Sequence, residues 1–174
     1  VDYGAPESLT SILDAVTLEA WVKDDGDGGM IAGFSRAGNS TWMMGMDLSG
    51  HIIFDLWDGA VQVWPHVSAE AIERGEWHHL VGVYDGDEAQ IYIDGELNLV
   101  QLFPGDLVYN NERFQVGRRG GGDKPLRFTI DDLRVYDRAL NEDEIRQDLL
   151  ASGGLHVQPG GKLITAWGRL RSTR

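Results

Sequence analysis

The chain has 174 residues, 15 basic against 28 acidic, a formal net charge of −13 and no cysteine. One domain of that length buries its own core. The charge argues against a nucleic-acid partner, the missing cysteine excludes disulfides and thiolate metal sites, and no apolar run reaches membrane-spanning length. Twenty-three glycines, six tryptophans and many short β-branched runs favour an all-β domain. No secretory signal is present, and the chain opens at Val1 in strand-like sequence, as an excised domain of a longer protein would.

Val1 to Tyr3 reads as an edge strand, followed by a loop at Pro6 and a helical turn within Ser8 to Asp14. Thr17 to Lys23 sets Leu18, Ala20 and Val22 against Glu19, Trp21 and Lys23, the period of a half-buried strand. The turn Asp24 to Gly29, DDGDGG, has the composition of a calcium loop but lacks an acid at the EF-hand closing position. It reads first as a solvated hairpin loop.

Met30 to Ser35, Trp42 to Leu48, His51 to Trp57 and Ala60 to Trp64 form an antiparallel meander, with turns at Ser49-Gly50 and Asp58-Gly59. Ile52, Phe54 and Leu56 make one row, which leaves His51, Asp55 and Trp57 on the other. Val61 and Val63 take the apolar row of the next strand and leave Gln62 and Trp64 beside Trp57. Trp57, Trp64, Asp55 and His51, with Asp47 nearby, then share a solvent-side face. Aromatic planes ringed by polar groups suit the apolar faces and hydroxyl edges of sugars. Tryptophans packed under a loop at a sandwich edge are the competing reading.

Glu76 to Asp85 places Trp77, His79, Val81 and Val83 in one row. No second histidine stands at metal-binding spacing, so His79 reads as a hydrogen-bonded core histidine. Ala89 to Asp94, Asp94-Gly95 and Glu96 to Leu102 form another hairpin, and Phe114 to Gly117 is a short strand before RRGGGDK. That loop lacks the Gly-Lys-Ser/Thr ending of a phosphate loop. Its Arg118 and Arg119 can hydrogen-bond an acidic ligand or sugar hydroxyls, or neutralise nearby carboxylates.

Phe128 to Leu149 reads as a strand running into a capped helix. Simple alternation puts Asp131, Leu133 and Val135 on one face, with Ile130, Asp132, Arg134 and Tyr136 on the other. A carboxylate on a core-facing row must be paired, hydrogen-bonded or metal-bound. Asn141 with Glu144 forms a capping box, and Ile145, Leu149 and Leu150 supply the apolar stripe. The basic segment 153–174, with Trp167, either adds a strand, lies over the domain or trails as a terminus. About a dozen short strands with one late helix predict an all-β sandwich of two antiparallel sheets over residues 1–152, followed by that tail.

TLEAWVK, EWHHLVGVYDG, QIYIDGEL and FTIDDLRVYDRALNEDEI, in this order and spacing, resemble the laminin-G-like jellyroll family of concanavalin A-like lectins and glucanases, over about Val1 to Leu150. The ending PGGKLITAWGRL resembles that of some bacterial members. The resemblance implies a jellyroll sandwich, usually a non-catalytic module of secreted or cell-surface proteins that binds carbohydrate or protein, often with a rim calcium. It places Asp131 at the acidic position that ligates calcium in related jellyrolls. Candidate co-ligands are groups around Asp2 to Gly4 and in the turn with Asp25 and Asp27. Backbone amides, or an arginine such as Arg36, are the alternative partners of Asp131.

Related glucanases carry an E-x-D-x-x-E run on one strand, which this chain lacks. Asp55 and Asp58, three residues apart, fall on opposite sides of a regular strand, and no Ser/His/Asp order occurs in motif context. The expectation is a calcium-stabilised, non-catalytic carbohydrate-binding or adhesion module, with Trp57, Trp64, Asp55, His51 and Arg118 as ligand residues. Asp131, Asp2, Asp25 and Asp27 are the expected metal residues. A protein-interaction or spacer domain without a sugar site is the alternative, and a glycoside hydrolase the remotest one.

Overall fold

A computed structural model describes residues 2–26, 28–36, 39–59, 66–118 and 127–151. A helical turn α1 (Glu7–Thr10) precedes β1 (Val16–Asp24), β2 (Gly29–Arg36), β3 (Asn39–Met46), β4 (His51–Leu56) and β5 (His66–Ala71). Then come β6 (Trp77–Tyr84), β7 (Glu88–Ile93), β8 (Glu96–Leu102), β9 (Phe114–Arg118), β10 (Phe128–Tyr136) and α2 (Glu142–Ala151).

The strands form two five-stranded antiparallel sheets. A meander sheet has the order β5-β4-β3-β2-β9, and a helix-bearing sheet has the order β10-β1-β6-β7-β8. This is the sandwich that the alternating segments predict. The Asp94-Gly95 turn has two positive φ angles, 53° and 80°, the backbone of a tight two-residue hairpin. Leu18, Ala20 and Val22 of β1 pack with Trp42 and Met44 of β3 and with Ile52, Phe54 and Leu56 of β4. The sheets approach so closely that a Cβ on Gly82 would lie 2.6 Å from the Phe54 ring.

Two local expectations change. Of the expected strand Val1 to Tyr3, the described residues contribute one isolated bridge, Asp2 with Gln115. The strand β5 was not foreseen, because HVSAEA carries too little apolar alternation. The expected strand Ala60 to Trp64 and the 153–174 tail lie outside the described residues.

The largest correction is in β10. Arg134 faces Glu19 and Asp131 faces Trp21, so Asp132 and Leu133 together stand opposite Ala20. Asp132 has φ +47°, and the extra residue makes a bulge that reverses the alternation. Phe128 and Ile130 therefore pack into the same core as Leu133 and Val135. Asp131 is exposed on the outer surface, where its carboxylate accepts the Asp132 amide at 2.9 Å. The buried carboxylate expected at this position does not exist.

The carboxylate buried in the middle of this sheet is Glu19. Its Oε1 accepts from Arg134 Nη1 at 2.8 Å and His79 Nε2 at 3.0 Å, with both Glu19 and His79 fully buried. His79 is thus the hydrogen-bonded interior histidine expected. Arg134 also reaches Asp148 of α2 at 3.5 Å, and the Tyr136 hydroxyl donates to Asp148 at 2.8 Å. Leu140 and Ile145 pack against Val81, Val83 and Tyr92, so α2 is held by an apolar contact and an ionic one.

At the helix start, Asn141 Oδ1 accepts the Glu144 amide and Glu144 accepts the Asn141 amide, both at 3.0 Å. This is the predicted capping box. Arg138 adds two bonds to Glu144 at 2.8 and 2.9 Å, and this pairing, with the Asn141 amide, holds the Glu144 carboxyl down at about 2. Stability from this group is present above the ordinary carboxylate range and lost as the pH falls toward 2.

Glu19→Ala strands Arg134 and His79, and chemical denaturation is expected to show a loss of about 3–5 kcal/mol. Asp132→Gly is expected to keep or raise the melting temperature. Asp132→Val, which resists φ > 0, is expected to cost about 1–2 kcal/mol in the same measurement.

Candidate functional site

Alternation in β4 sends Ile52, Phe54 and Leu56 into the core and leaves His51, Ile53 and Asp55 half-buried on the outer face of the meander sheet. Trp57 continues that row and is also half-buried. Its backbone is fixed by the chain after β8. Val108 N donates to Trp57 O at 2.9 Å, and Trp57 N donates to Thr41 O at 3.4 Å, while Thr41 Oγ1 accepts the Asn110 amide at 2.9 Å. His51, Asp55 and Trp57 thus share one face, as expected, along a row of about 20 Å at ~3.3 Å per residue.

Across the sheet, Asp55 faces Met43, Met43 faces Gly33 and Gly33 faces Gln115. In a neighbouring row, Ile53 stands between Gly45 and Val67. Two glycines therefore occupy the middle of this face. At Gly33, φ +141°, a Cβ would lie 2.5 Å from both Met43 Cα and Trp42 O, so no side chain can fill the place. Met43 stands between Asp55 and Gly33, and a Cβ on Gly45 would lie 3.1 Å from its sulfur, so the thioether lies over Gly45 and the row is bare at Gly33, next to Gln115.

The titratable groups of this face are held in contrasting ways. Burial pushes the Asp55 carboxyl above its ordinary value, against opposing hydrogen bonds from the Ser40 side chain and the Leu56 amide. Burial would also raise Asp47. The amides of His51 and Ser49 and the His51 ring, at 3.0, 2.7 and 3.2 Å, outweigh it and hold Asp47 low. One ring nitrogen of His51 is therefore engaged in the β3–β4 turn, about 13 Å along the strand from Asp55 at ~3.3 Å per residue. Tyr84, on β6 of the other sheet, lies near a group of carboxylates. Burial, together with Asp106, Asp85, Asp87 and Asp58, pushes the Tyr84 hydroxyl up to about 12.

Trp64, Asp27 and the side chain of Arg118 lie outside the described residues. The remaining expected metal residues are not brought together. Asp2 sits beside β9 of the meander sheet, where the Gly4 amide at 2.8 Å and Arg113 Nη1 at 2.9 Å hold its carboxyl low. Asp131 is on the outer face of the other sheet. Asp25 is exposed beyond the end of β1, its amide on Arg127 O at 2.7 Å. Among the described residues, no three His, Asp or Glu side chains are placed to hold a metal. Calcium takes six to eight oxygens, and Asp2, Asp25 and Asp131 do not fit a shared site of that kind.

Sequence reasoning missed Gly33, Met43 and Gln115 because lateral neighbours depend on register between distant segments. It missed the Glu19 cluster as well, although an acid two positions from Trp21 in a strongly apolar strand was a usable signal.

Residues 3–146 match the laminin G-type family model whose description is concanavalin A-like lectin/glucanases superfamily. No curated protein is significantly similar in sequence. Among solved structures, the chain is similar to a Bacteroides ovatus protein provisionally described as carbohydrate binding, with 20% identity and a TM-score of 0.64 over 86% of this chain and 43% of that one. The binding domain of Paraclostridial Mosquitocidal Protein 1 gives 16% identity and a TM-score of 0.68, over 86% of this chain and 40% of that one. A heptameric SAP-like pentraxin from Limulus polyphemus gives 17% and 0.58, over 77% and 69%. At these identities the likeness establishes the fold. The chain spans about two-fifths of the first two structures.

The raised carboxyl of Asp55 has a stability consequence opposite in sign to that of Asp47. Asp47 contributes stability above the ordinary carboxylate range, lost on acidification. Asp55 opposes folding while ionised, and that opposition is relieved as the pH falls through its raised value. Asp55→Asn is therefore expected to raise the melting temperature at neutral pH, with the gain shrinking as the buffer is acidified.

Proposed function

Since the chain belongs to the concanavalin A-like lectin/glucanases superfamily, we propose that it is a non-catalytic carbohydrate-binding module whose ligand face is the outer surface of the meander sheet. The observation that carries this reading is the single row of Trp57, Asp55 and His51, with the Met43 thioether and the bare backbone of Gly33 beside Asp55. Trp57 offers an aromatic plane to the apolar face of a sugar ring. Asp55 and His51 supply hydrogen bonds to hydroxyls. A row about 20 Å long suits an oligosaccharide better than one sugar unit. The net charge of −13 favours neutral or amino sugars over sulfated or uronic ones.

Glycoside hydrolysis needs two carboxyl groups about 5–9.5 Å apart across the scissile bond. The lateral neighbours of Asp55 are Met43, Gly33 and Gln115, none of them acidic, which supports a module that binds without cutting. As a piece spanning two-fifths of two similar structures, the chain fits a module of a larger secreted or cell-surface protein. No helix among the described residues is long and apolar enough to cross a membrane.

One observation favours a protein partner as the second reading. Edge strand β8 exposes Leu97, Val100 and Leu102 to 45%, 46% and 73%.

On an array of neutral, amino and sulfated glycans, the wild-type chain is expected to bind members of the first two groups. Trp57→Ala and Asp55→Ala are each expected to weaken that binding at least about tenfold, the loss of roughly 1.4 kcal/mol or more. Binding unchanged in both variants would move the ligand off this face. An empty array, with partner capture that Leu102→Asp abolishes, would favour the protein reading.

A further inference from the structure

We infer that the sandwich rim is neutralised by arginine where calcium was expected, with Arg74 acting as the internal cation of the Asp24–Gly29 turn. Asp24 is the last residue of β1 and only 1% exposed. Its Oδ1 accepts the Gly26 amide at 2.7 Å, whereas Oδ2 is buried and has no hydrogen-bond partner. A carboxylate in that position needs a positive charge. Arg74 Nε lies 3.6 Å from Oδ2.

The guanidinium is held there from several sides. Arg74 Nη2 donates to the Leu48 carbonyl in the β3–β4 turn. The side chain lies across Gly26, where a Cβ would stand 3.4 Å from Nη1 and 3.8 Å from Cδ. The Gly75 amide donates to the Asp24 carbonyl at 2.8 Å and ties the backbone next to Arg74 to the end of β1. One cation thus bridges a carboxylate oxygen and a carbonyl oxygen from two loops, the hard donors that calcium also takes. Like charges at that separation repel, so a guanidinium and a divalent ion do not share the place.

The same device recurs at Asp2, whose carboxylate is paired with Arg113. Asp131 is exposed to water and needs no counter-ion. Among the acids of the segments where calcium was expected, Asp24 and Asp2 thus each have an arginine.

Thermal melting of the full chain in chelator and in millimolar calcium is the test. The two wild-type curves are expected to coincide. Arg74→Gln is expected to lower the melting temperature by roughly 5 °C or more, and adding Asp24→Asn to recover at least half of that loss, since the neutral amide no longer needs a cation. A calcium-dependent rise of more than about 2 °C in the wild type, the sign of a bound ion, would overturn the inference, even if Arg74→Gln fails to fold. So would Arg74→Gln melting with the wild type, or a double variant no more stable than the single one.

Discussion

The structure turns on one buried carboxylate. Glu19 sits in the centre of the helix-bearing sheet with no exposure to water, and its position is tenable because Arg134 and His79 both donate to it. Its Oε2, His79 Nδ1 and Trp21 Nε1 remain buried without hydrogen-bond partners, so the cluster is polar beyond what stability alone would select. Arg134 reaches Glu19 because β10 carries an extra residue at Asp132. Without the bulge, a strand that buries Ile130 would send Arg134 into the core and Leu133 outward. The same bulge lets Arg134 continue to Asp148, and so fixes α2 on the sheet.

That attachment decides where a ligand can go. A sandwich has two outer faces, and here one is occupied by α2 and the ionic cluster beneath it. The other, on the meander sheet, carries half-buried polar and aromatic groups beside Met43 and Gly33. Asp55 on this face is ionised at a disadvantage, because burial pushes its carboxyl up. A residue placed against the interest of stability, on the face away from α2, is what supports the site proposed there. Asp24 and Asp2 show the opposite: each is matched to an arginine that ties two segments together.

Much of this was written locally. Alternation in TLEAWVK and HIIFDLW assigned inward and outward residues correctly, the Asp94-Gly95 turn announced its hairpin, and Asn141 with Glu144 announced the helix. The misreading of Asp131 came from imposing a strict period of two on FTIDDLRVY. Ile130 and Leu133 are three apart, and both can be buried on one side only if a residue is looped out between them. That spacing was visible, but nothing local distinguishes a bulge from a strand with one misplaced acid.

By itself, the sequence determined most of the elements, the inward faces of β1 and β4 and the family, because these depend on neighbours two to four residues away and on motif order. Only the tertiary structure decided which acid would be buried, which arginine would answer it, and which residues would stand beside Asp55. Glu19 meets Arg134 across 115 residues and Asp2 meets Arg113 across 111. Such pairings are set by strand register and sheet order, which the whole chain must satisfy at once and no single segment encodes.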